Sequence, residues 1–225
     1  MQVVIDNLDL MWIGLKLTLE LSLVIIVLST VFGFFVGVGL TFGNRVIRFF
    51  LRIYVDTIRG LPLLVLIFLI FYGLPALNIT IGSWKLDTNI GRFETATIAF
   101  TLFASAQVGE IFRGAFSAIT AGQTDAGRAL GLTFWPRLFH IVLPQSIPLI
   151  VPPWTNTAAE LVKGTSLVTL VSMSDLLFST RKIAERTGDM MPLYLAAAAI
   201  YFVICFSISR AGVWVGHRYQ SGLAR

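Results

Sequence analysis

The sequence predicts an all-α integral membrane protein built from five transmembrane helices. Of its 225 residues, 56% are hydrophobic and only 13% are charged, whereas soluble domains have roughly 45–50% apolar and about 25% charged residues. A transmembrane helix needs about 20 consecutive, mostly apolar residues. Five stretches meet this requirement, at residues 12–40, 53–77, 95–118, 147–172 and 192–215. We therefore expect residues 1–225 to form a single transmembrane domain.

Basic residues predict how this domain is oriented. The segment after the first apolar stretch contains Arg45, Arg48 and Arg52 and no acidic residue, and short loops rich in arginine stay in the cytoplasm. Alternation from that loop places the N-terminus outside, residues 119–146 inside and the C-terminus inside. The outer loops mix basic with acidic residues and are nearly neutral. We expect no cleaved signal peptide, because no basic region precedes the first apolar run.

The composition disfavours several classes of function. The net charge of +5 comes from basic residues that separate apolar runs, which is typical of topology signals rather than of a nucleic-acid surface. The single cysteine, Cys205, lies in an apolar run and offers neither a disulfide nor a thiolate metal site. The sequence has no glycine-rich phosphate loop ending in Lys-Ser or Lys-Thr. We therefore expect a non-enzymatic membrane protein that has no metal site and does not itself bind ATP.

Residues 122–145, GQTDAGRALGLTFWPRLFHIVLPQ, form the most informative segment. They lie between two hydrophobic runs, and their spacing resembles the cytoplasmic loop of ABC-importer permeases, E-A-A-x3-G-x9-I-x-L-P. Asp125 stands for the glutamate of that pattern and Gly127 for its second alanine. The candidate coupling residues are Asp125, Ala126, Gly127, Leu130, Gly131, Ile141, Leu143 and Pro144. The alternative is an ordinary amphipathic connecting loop.

The resemblance implies that this loop docks on another protein. In that family the loop forms two short helices at a right angle that sit in a groove of the ATP-hydrolysing subunit. A small-residue helix face permits close docking, a glycine such as Gly131 lets the backbone turn, and a proline such as Pro144 is favoured where the next membrane helix begins. Asp125 is expected near a helix N-terminus, where a carboxylate is stabilised.

The second and third apolar stretches carry a narrower resemblance. IRGLPLLVLIFLIFYGLP is similar to the segment RGTPLLVQLFFIYYGLP of the polar amino acid subfamily of these permeases, with Leu66 where that subfamily often has glutamine. SAQVGEIFRGAFSAI resembles the subfamily's AYxAEIxRGGIxSI, with Gln107 at the aromatic position. Glu110 and Arg113 are three residues apart, and because an unpaired charge in a membrane is costly we expect them to pair. We interpret this pair as structural or gating, with substrate contact as the alternative.

The fourth apolar stretch is unusually polar. PPWTNTAAELVKGTSLVTLVSMSD places polar and charged residues inside a predicted span, which predicts a broken or locally unwound helix beside a cavity. It resembles the subfamily's KDTSL element, with Gly164 in place of Asp, and this loss of a carboxylate disfavours an arginine-like or lysine-like substrate. Glu160 and Lys163 either neutralise each other or bind the ammonium and carboxylate of a zwitterion. The candidate pathway residues are Gln107, Thr157, Glu160, Lys163, Thr165 and Ser166.

Taken over nearly the whole chain, the resemblance implies a type I ABC importer permease of the polar amino acid family, in the bacterial inner membrane. It implies a second permease chain, identical or related, and two ATPase subunits that bind ATP and Mg. A periplasmic or lipid-anchored binding protein would deliver the substrate, and membrane lipid surrounds the chain. Two alternatives remain, a compact ion-coupled secondary transporter, although no internal repeat is visible, and a membrane scaffold or sensor. Within the ABC interpretation, opines, ectoine-like solutes and methionine are alternative substrates.

Overall fold

The computed structural model describes residues 2–73, 80–81, 84–85 and 91–223. Its long, unbroken helices match three of the predicted spans. After a short helix, α1 (Gln2–Ile5), helix α2 (Leu8–Phe42) contains the first span, α5 (Arg92–Ala118) the third and α10 (Met190–Leu223) the fifth. Each is long and apolar enough to cross a membrane.

The second predicted span is divided by a sharp bend. Helix α3 (Arg45–Gly60) and helix α4 (Leu63–Phe68), which continues as a π-helical turn (Leu69–Gly73), meet at an angle of 106°. Gly60 and Pro62 flank the break, and proline has no backbone N–H to continue a helix. Residues 53–77 therefore do not form one straight helix, and residues 74–77 lie outside the described part. A two-stranded antiparallel hairpin follows, with β1 at Thr80–Ile81 and β2 at Trp84–Lys85.

The fourth predicted span changes helix type along its length. Helix α6 (Ala121–Ala129) and helix α7 (Phe134–Arg137) precede it, and α7 continues through a π-helical turn (Leu138–Val142) into α8 (Leu143–Gly164). A 3₁₀ segment (Thr165–Val171) follows, so the α-helix ends at Gly164 and the chain continues as a tighter helix rather than as the predicted unwound segment. Helix α9 (Leu176–Thr187) then leaves at 52°. If each bent pair counts as one span, the described residues give up to five spans.

Glycines allow the two central helices to approach closely. A Cβ atom at Gly33 of α2 would lie 2.6 Å from Val108 Cγ1 of α5, and one at Gly37 would overlap Phe112 Cβ. Small residues favour such backbone contact in membranes, where lipid provides no hydrophobic drive between helices. On the other side, Gly212 of α10 lies against Thr155 of α8. Helix α5 packs against α2 on one side and against α8 on another, so it lies between these two helices.

A buried carboxylate fixes the turn between the 3₁₀ segment and α9. Asp175 caps α9 by accepting hydrogen bonds from the backbone N–H groups of Leu177 and Phe178. Thr169 Oγ1 donates a hydrogen bond to the same carboxylate over 2.5 Å. The Tyr201 hydroxyl of α10 also donates to this carboxylate, over 3.4 Å. A side chain at this capping position satisfies donors that would otherwise lack partners. Asp175 therefore joins three elements at the end of the polar span.

Candidate functional site

A polar cavity lies between α3, α5 and α8. Its volume is about 740 Å³, which is within the range of small-molecule sites. The cavity brings together Gln107 and Thr157 of the predicted pathway and Glu110 of the predicted ion pair. Its lining comprises Arg59, Gln107, Glu110, Ile111, Gly114, Ala115, Ala118, Leu149, Pro153 and Thr157. A few polar groups on an otherwise apolar wall can orient a small polar solute.

Arg59 is a cavity residue that was not among the predicted pathway residues. It lies in the last turn of α3, just before the bend, and it lines the cavity with Gln107 and Thr157. The sequence did contain a signal, because Arg59 falls inside the predicted span 53–77, and charges within a span mark functional positions by default.

Glu110 holds two guanidinium groups. Its Oε2 accepts hydrogen bonds from Arg113 Nε at 2.9 Å and Nη2 at 2.8 Å, and its Oε1 accepts one from Arg52 Nη1 at 2.8 Å. The Glu110 side chain is only 15% exposed. Paired charges with several hydrogen bonds are the arrangement in which a partly buried ion is stabilised. The i,i+3 contact agrees with the spacing in the sequence, whereas the contact with Arg52 on α3 was missed.

Glu160 and Lys163 are both exposed on α8. Among the described residues neither forms an ion pair within 4.0 Å, so the mutual neutralisation considered from their spacing is not seen. With 3.6 residues per turn, Glu160 follows Pro153 and Thr157 along the face of α8 that lines the cavity. The two charges are therefore available to a partner chain or to a solute.

Thr165 and Ser166 contribute less to the cavity than the sequence suggests. Thr165 is fully buried and its hydroxyl donates to the Val162 carbonyl over 2.7 Å. The Ser166 hydroxyl donates to the Lys163 carbonyl over 2.7 Å. Neither residue lines the cavity. Because both hydroxyls face backbone carbonyls of their own segment, this structure gives Thr165 a packing role rather than an exposed polar one.

The loop after α5 folds as two short helices with a sharp corner. Gly131 has φ +75°, a left-handed conformation that glycine adopts without the strain imposed on other residues. The turn at Gly131 agrees with the role that the loop pattern implied. Pro144 follows the π-helical turn that joins α7 to α8, so it lies inside a continuous helix and does not begin the next membrane helix as the pattern implied. Leu143 packs against the apolar cluster around Val142 and Ile150.

Two details of the loop differ from, or add to, the expectation. Asp125 is the fifth residue of α6 and pairs with Arg128 at 3.0 Å, so it does not occupy the helix N-terminus and the expected role there is wrong. Gly127 is buried, and a Cβ atom at this position would lie 2.8 Å from Ile141 Cδ1. Close packing of α6 on the segment after α7 therefore accounts for glycine in place of alanine.

The loop also presents an apolar surface. Leu130, at the corner, is 78% exposed, and Ala126, four residues earlier on α6, is exposed as well. Trp135 and Phe139 are exposed as well and stack with ring centroids 5.9 Å apart. These two aromatic residues were not among the predicted coupling residues, although TFWPRLF stands out within a predicted cytoplasmic segment. Exposed apolar residues of this kind favour contact with another protein.

Metal chemistry has no evident site in the part of the chain that the structure describes. Within residues 2–73, 80–81, 84–85 and 91–223, no group of three or more His, Cys, Asp or Glu side chains is placed to hold a metal ion. What the described residues offer instead is a cavity with hydrogen-bonding groups and a separate exposed apolar surface on the loop.

Sequence comparisons place these features in a known context. A family model described as "Binding-protein-dependent transport system inner membrane component" matches residues 21–221. The probable glutamine ABC transporter permease GlnP of Bacillus subtilis is 34% identical over 92% of this chain and 92% of its own length. The L-cystine transport system permease TcyB of the same organism is 33% identical over 87% of this chain and 80% of its own length.

Solved structures share the fold. A chain from the crystal structure of an amino acid ABC transporter with histidines superposes with a TM-score of 0.82 at 28% identity, covering 96% of each chain. The inward-facing MetNI methionine ABC transporter gives a TM-score of 0.76 at 20% identity, over 94% of this chain and 97% of that one. At that lower identity the likeness concerns the fold alone. The predicted fold class, a permease of the type I importer fold, is confirmed by these superpositions.

Proposed function

The chain belongs to the family of inner membrane components of binding-protein-dependent transport systems, and we propose that its solute is a polar amino acid or a closely similar molecule. As a member, it is the permease subunit of an ABC importer and not an enzyme, since ATP hydrolysis resides in a separate subunit of such systems. The similarity over nearly its full length to permeases named for glutamine, cystine and other amino acids carries the proposal.

The pathway we propose runs along α8 and through the cavity beside α5. Gln107 and Thr157 line the cavity, and the exposed Glu160 extends the same face of α8. An amino acid carries an ammonium and a carboxylate, and Glu160 and Lys163 provide the opposite charge for each. Gly164 occupies the position where the subfamily element has Asp, which disfavours a cationic side chain. Opines, ectoine-like solutes and methionine are the second choice of substrate.

The assembly we propose follows from the loop. ATPase and binding-protein partners are general to this family; the finer proposal is two ATPase copies, a second permease chain that is identical or homologous, and a periplasmic or lipid-anchored binding protein. ATP and Mg would be held by the ATPase subunits. In each permease chain the loop would fit a groove of one ATPase subunit. The fitting surface would consist of the corner at Gly131, the exposed Leu130 and the flanking helices α6 and α7. Their rigid connection to α8 through Ile141 and Leu143 would carry ATPase motion into the pathway.

Alternating access supplies the mechanism. The membrane pair must have two states that differ in affinity for ATP below and for the loaded binding protein above, because a ligand shifts an equilibrium only by its differential affinity. ATP binding closes the ATPase pair, the loop moves with it, and the site opens to the outside. Hydrolysis returns the site to the cytoplasm. Direct contact of the loop with both the ATPase and α8 is the physical requirement.

The orientation we propose has the N-terminus outside and the C-terminus in the cytoplasm. It can be measured in a Cys205→Ala background with a thiol reagent that does not cross membranes. In spheroplasts, the reagent should label Glu185→Cys on α9, and it should label Leu130→Cys only after permeabilisation. The opposite pattern would invert the orientation and place the loop where an ATPase could not reach it.

Purification in mild detergent from the native membrane tests the assembly. Mass spectrometry of the proteins that co-purify with the tagged chain should find an ABC ATPase subunit, and either a second permease or none, which distinguishes a heterodimer from a homodimer. The associated binding protein can then be screened for its ligand by thermal shift. If no ATPase co-purifies under conditions that preserve other ABC complexes, the proposed binding of the loop to an ATPase subunit is wrong. An ion-coupled transporter then becomes the hypothesis to test.

A further inference from the structure

We propose that the start of α3 lies at the inner surface of the membrane, where Arg45 and Arg48 bind the phosphate of an anionic phospholipid. This inference goes beyond transport of the solute and concerns the lipid dependence of the permease. It rests on the arrangement of the α3 side chains, which form a face packed on the protein, an exposed apolar face and a basic face. It also uses the proposed orientation, which the labelling experiment tests independently.

One face of α3 packs against the protein. Val55 is fully buried and forms an apolar cluster with Leu40 of α2 and Ala106 of α5, together with Leu51 and Ile58. Tyr54 adds a hydrogen bond from its hydroxyl to the Leu102 carbonyl of α5 over 2.7 Å. These contacts fix the rotation of α3 about its own axis, so the directions of its remaining faces are determined.

A second face of α3 is apolar and has no partner in the described chain. Val46, Phe49, Phe50 and Ile53 are between 48% and 64% exposed. At 100° per residue these four side chains occupy one side of the helix, next to the basic side. Four large apolar side chains on one side of a helix form an apolar surface that is expected to contact lipid or another apolar surface. Phe42, at the adjoining end of α2, is also exposed and extends the apolar surface towards the α2–α3 corner.

The third face of α3 is basic. It carries Arg45, Arg48, Arg52 and Arg59, all of which fall within a narrow range of helical angles. Asp56 is the one acidic residue of α3 and lies three turns from Arg45. Aromatic and aliphatic side chains on one side of a helix and arginines on the other are typical of a helix that lies in the membrane interface.

Two of the four arginines are already committed. Arg52 is bound to Glu110, and Arg59 lines the cavity. Arg48 Nη2 donates to the Gly43 carbonyl over 3.2 Å and to the Thr41 carbonyl over 3.4 Å, which holds the guanidinium at the corner while its other N–H donors stay uncommitted in the described residues. Arg45 is exposed beside it.

A phospholipid fits this corner better than a protein surface does. The phosphate of a headgroup would meet the guanidinium groups of Arg45 and Arg48, and the acyl chains would cover Phe49 and Phe50, so one molecule satisfies both adjacent faces. Guanidinium binds phosphate through paired N–H donors. The inner leaflet is negatively charged, and a basic residue near its surface contributes about 1 kcal/mol to the attraction. An anionic lipid is therefore the occupant to which we commit.

The lipid would influence the site as well as the surface. Helix α3 carries Arg52, which holds Glu110 of α5, and Arg59, which lines the cavity. A headgroup that anchors the start of α3 limits the positions its end can take. Transport should therefore depend on anionic lipid even though no pathway residue touches the lipid.

Native mass spectrometry of the purified transporter tests the inference. The complex is equilibrated with equal amounts of phosphatidylglycerol and phosphatidylcholine, and retained lipids are counted. We expect preferential retention of phosphatidylglycerol, reduced about 5-fold in Arg45→Gln and about 30-fold in the Arg45→Gln/Arg48→Gln double variant, from about 1 kcal/mol for each arginine. Arg181→Gln/Lys182→Gln, which removes two exposed charges from α9, should retain the wild-type preference.

The single variant Arg45→Gln should fold normally, because no hydrogen bond or ion pair of Arg45 is seen within the described residues. A change in its lipid retention can therefore be attributed to the lost charge rather than to a folding defect. An unchanged lipid preference in both α3 variants would overturn the proposal. So would a cross-link from Phe50→Cys to a second permease or to an ATPase subunit, since protein rather than lipid would then cover this face. Lipid retention is measured without any solute, so its failure is distinct from failure of the proposed transport function.

Discussion

Arg52 of α3 donates a hydrogen bond to Glu110 of α5 over 2.8 Å and thereby connects the amphipathic helix to the wall of the polar cavity. The two residues are 58 positions apart in the chain. Arg113 binds the other carboxylate oxygen, so Glu110 is shared by a near and a distant cation. Because these contacts hold α3 against α5, substitution of either Arg52 or Glu110 should lower the stability of the permease. The two substitutions should differ in how much they lower it.

Glu110→Gln should destabilise the permease more than Arg52→Gln does. Removing the carboxylate leaves two cations facing each other in a largely enclosed place and forfeits charge-assisted hydrogen bonds, each of which contributes about 1.5–3 kcal/mol. The Arg52 side chain is 42% exposed and can be rehydrated, so its loss should cost about 1 kcal/mol or less. Thermal unfolding of both variants in the same detergent gives the ranking. The reverse ranking would mean that Arg52 stabilises the fold mainly through contacts other than its bond to Glu110.

Gly37→Ala should destabilise the α2–α5 contact, whereas Gly114→Ala should not. A Cβ atom at position 37 overlaps Phe112 Cβ and lies 3.0 Å from the Gly109 carbonyl oxygen, whereas no atom of the described residues lies within 4 Å of a Cβ atom at position 114. Overpacking costs about 1–3 kcal/mol. Expression and midpoint of thermal unfolding are the readouts. Equal behaviour of the two variants would show that the helices can separate freely.

Gly131→Val should uncouple ATP hydrolysis from transport, whereas Gly131→Asn should largely preserve coupling. The positive φ at this position costs a β-branched residue more than the roughly 1–2 kcal/mol of an ordinary L-residue, and asparagine adopts it most readily after glycine. Among the described residues, no atom lies within 4 Å of a Cβ atom built at position 131. The readout is ATPase activity stimulated by the loaded binding protein. Loss of coupling in both variants would point to steric exclusion at the docking surface rather than to backbone strain.

Asp175→Ala should lower stability by about 2 kcal/mol and Asp175→Asn by clearly less. Alanine removes the cap of α9, an interaction of about 0.5–2 kcal/mol, and leaves the buried Thr169 hydroxyl without its acceptor. Asparagine keeps an acceptor oxygen for Thr169 and for the Phe178 N–H. The difference between the two midpoints of thermal unfolding isolates the contribution of the acceptor. Identical midpoints would show that charge rather than capping holds this turn.

Glu160→Gln and Lys163→Met should reduce uptake while leaving assembly intact. Both side chains are exposed on α8 and form no ion pair in the described chain, so their removal should not disturb packing. Initial rates of solute uptake, compared with the yield of assembled complex, separate the two effects. Glu185→Gln and Lys182→Met on α9 are the matched controls. Unchanged uptake in both α8 variants would move the proposed pathway to Gln107 and Thr157.

Local features of this protein could be predicted from its sequence. The three unbroken spans follow from apolar length, and the turn at Gly131 follows from residue chemistry. The Glu110–Arg113 contact follows from helical spacing. An irregular helix near Gly164 was predicted because polar residues and glycine occur together in a span, although the irregularity is a 3₁₀ segment rather than an unwound one. Each of these depends on residues that are close in the chain.

Features that depend on distant residues could not be predicted in this way. The Arg52–Glu110 contact needs α3 to pack across α5, which brings together residues 58 positions apart. Arg59 enters the cavity for the same reason. Thr165 is buried because the core closes around the 3₁₀ segment, whereas its polarity alone suggested exposure. Asp125 was placed at a helix N-terminus because the sequence pattern does not reveal that α6 begins at Ala121.

Reconstituted transport tests the central claim most directly. The chain is incorporated in liposomes with its co-purified ATPase and any partner permease, and the binding protein and its labelled ligand are added outside. The account predicts that an amino acid accumulates only when ATP is enclosed and the binding protein is present, and that a proton or sodium gradient alone gives no accumulation. Accumulation driven by an ion gradient in liposomes that contain this chain without the ATPase would contradict it.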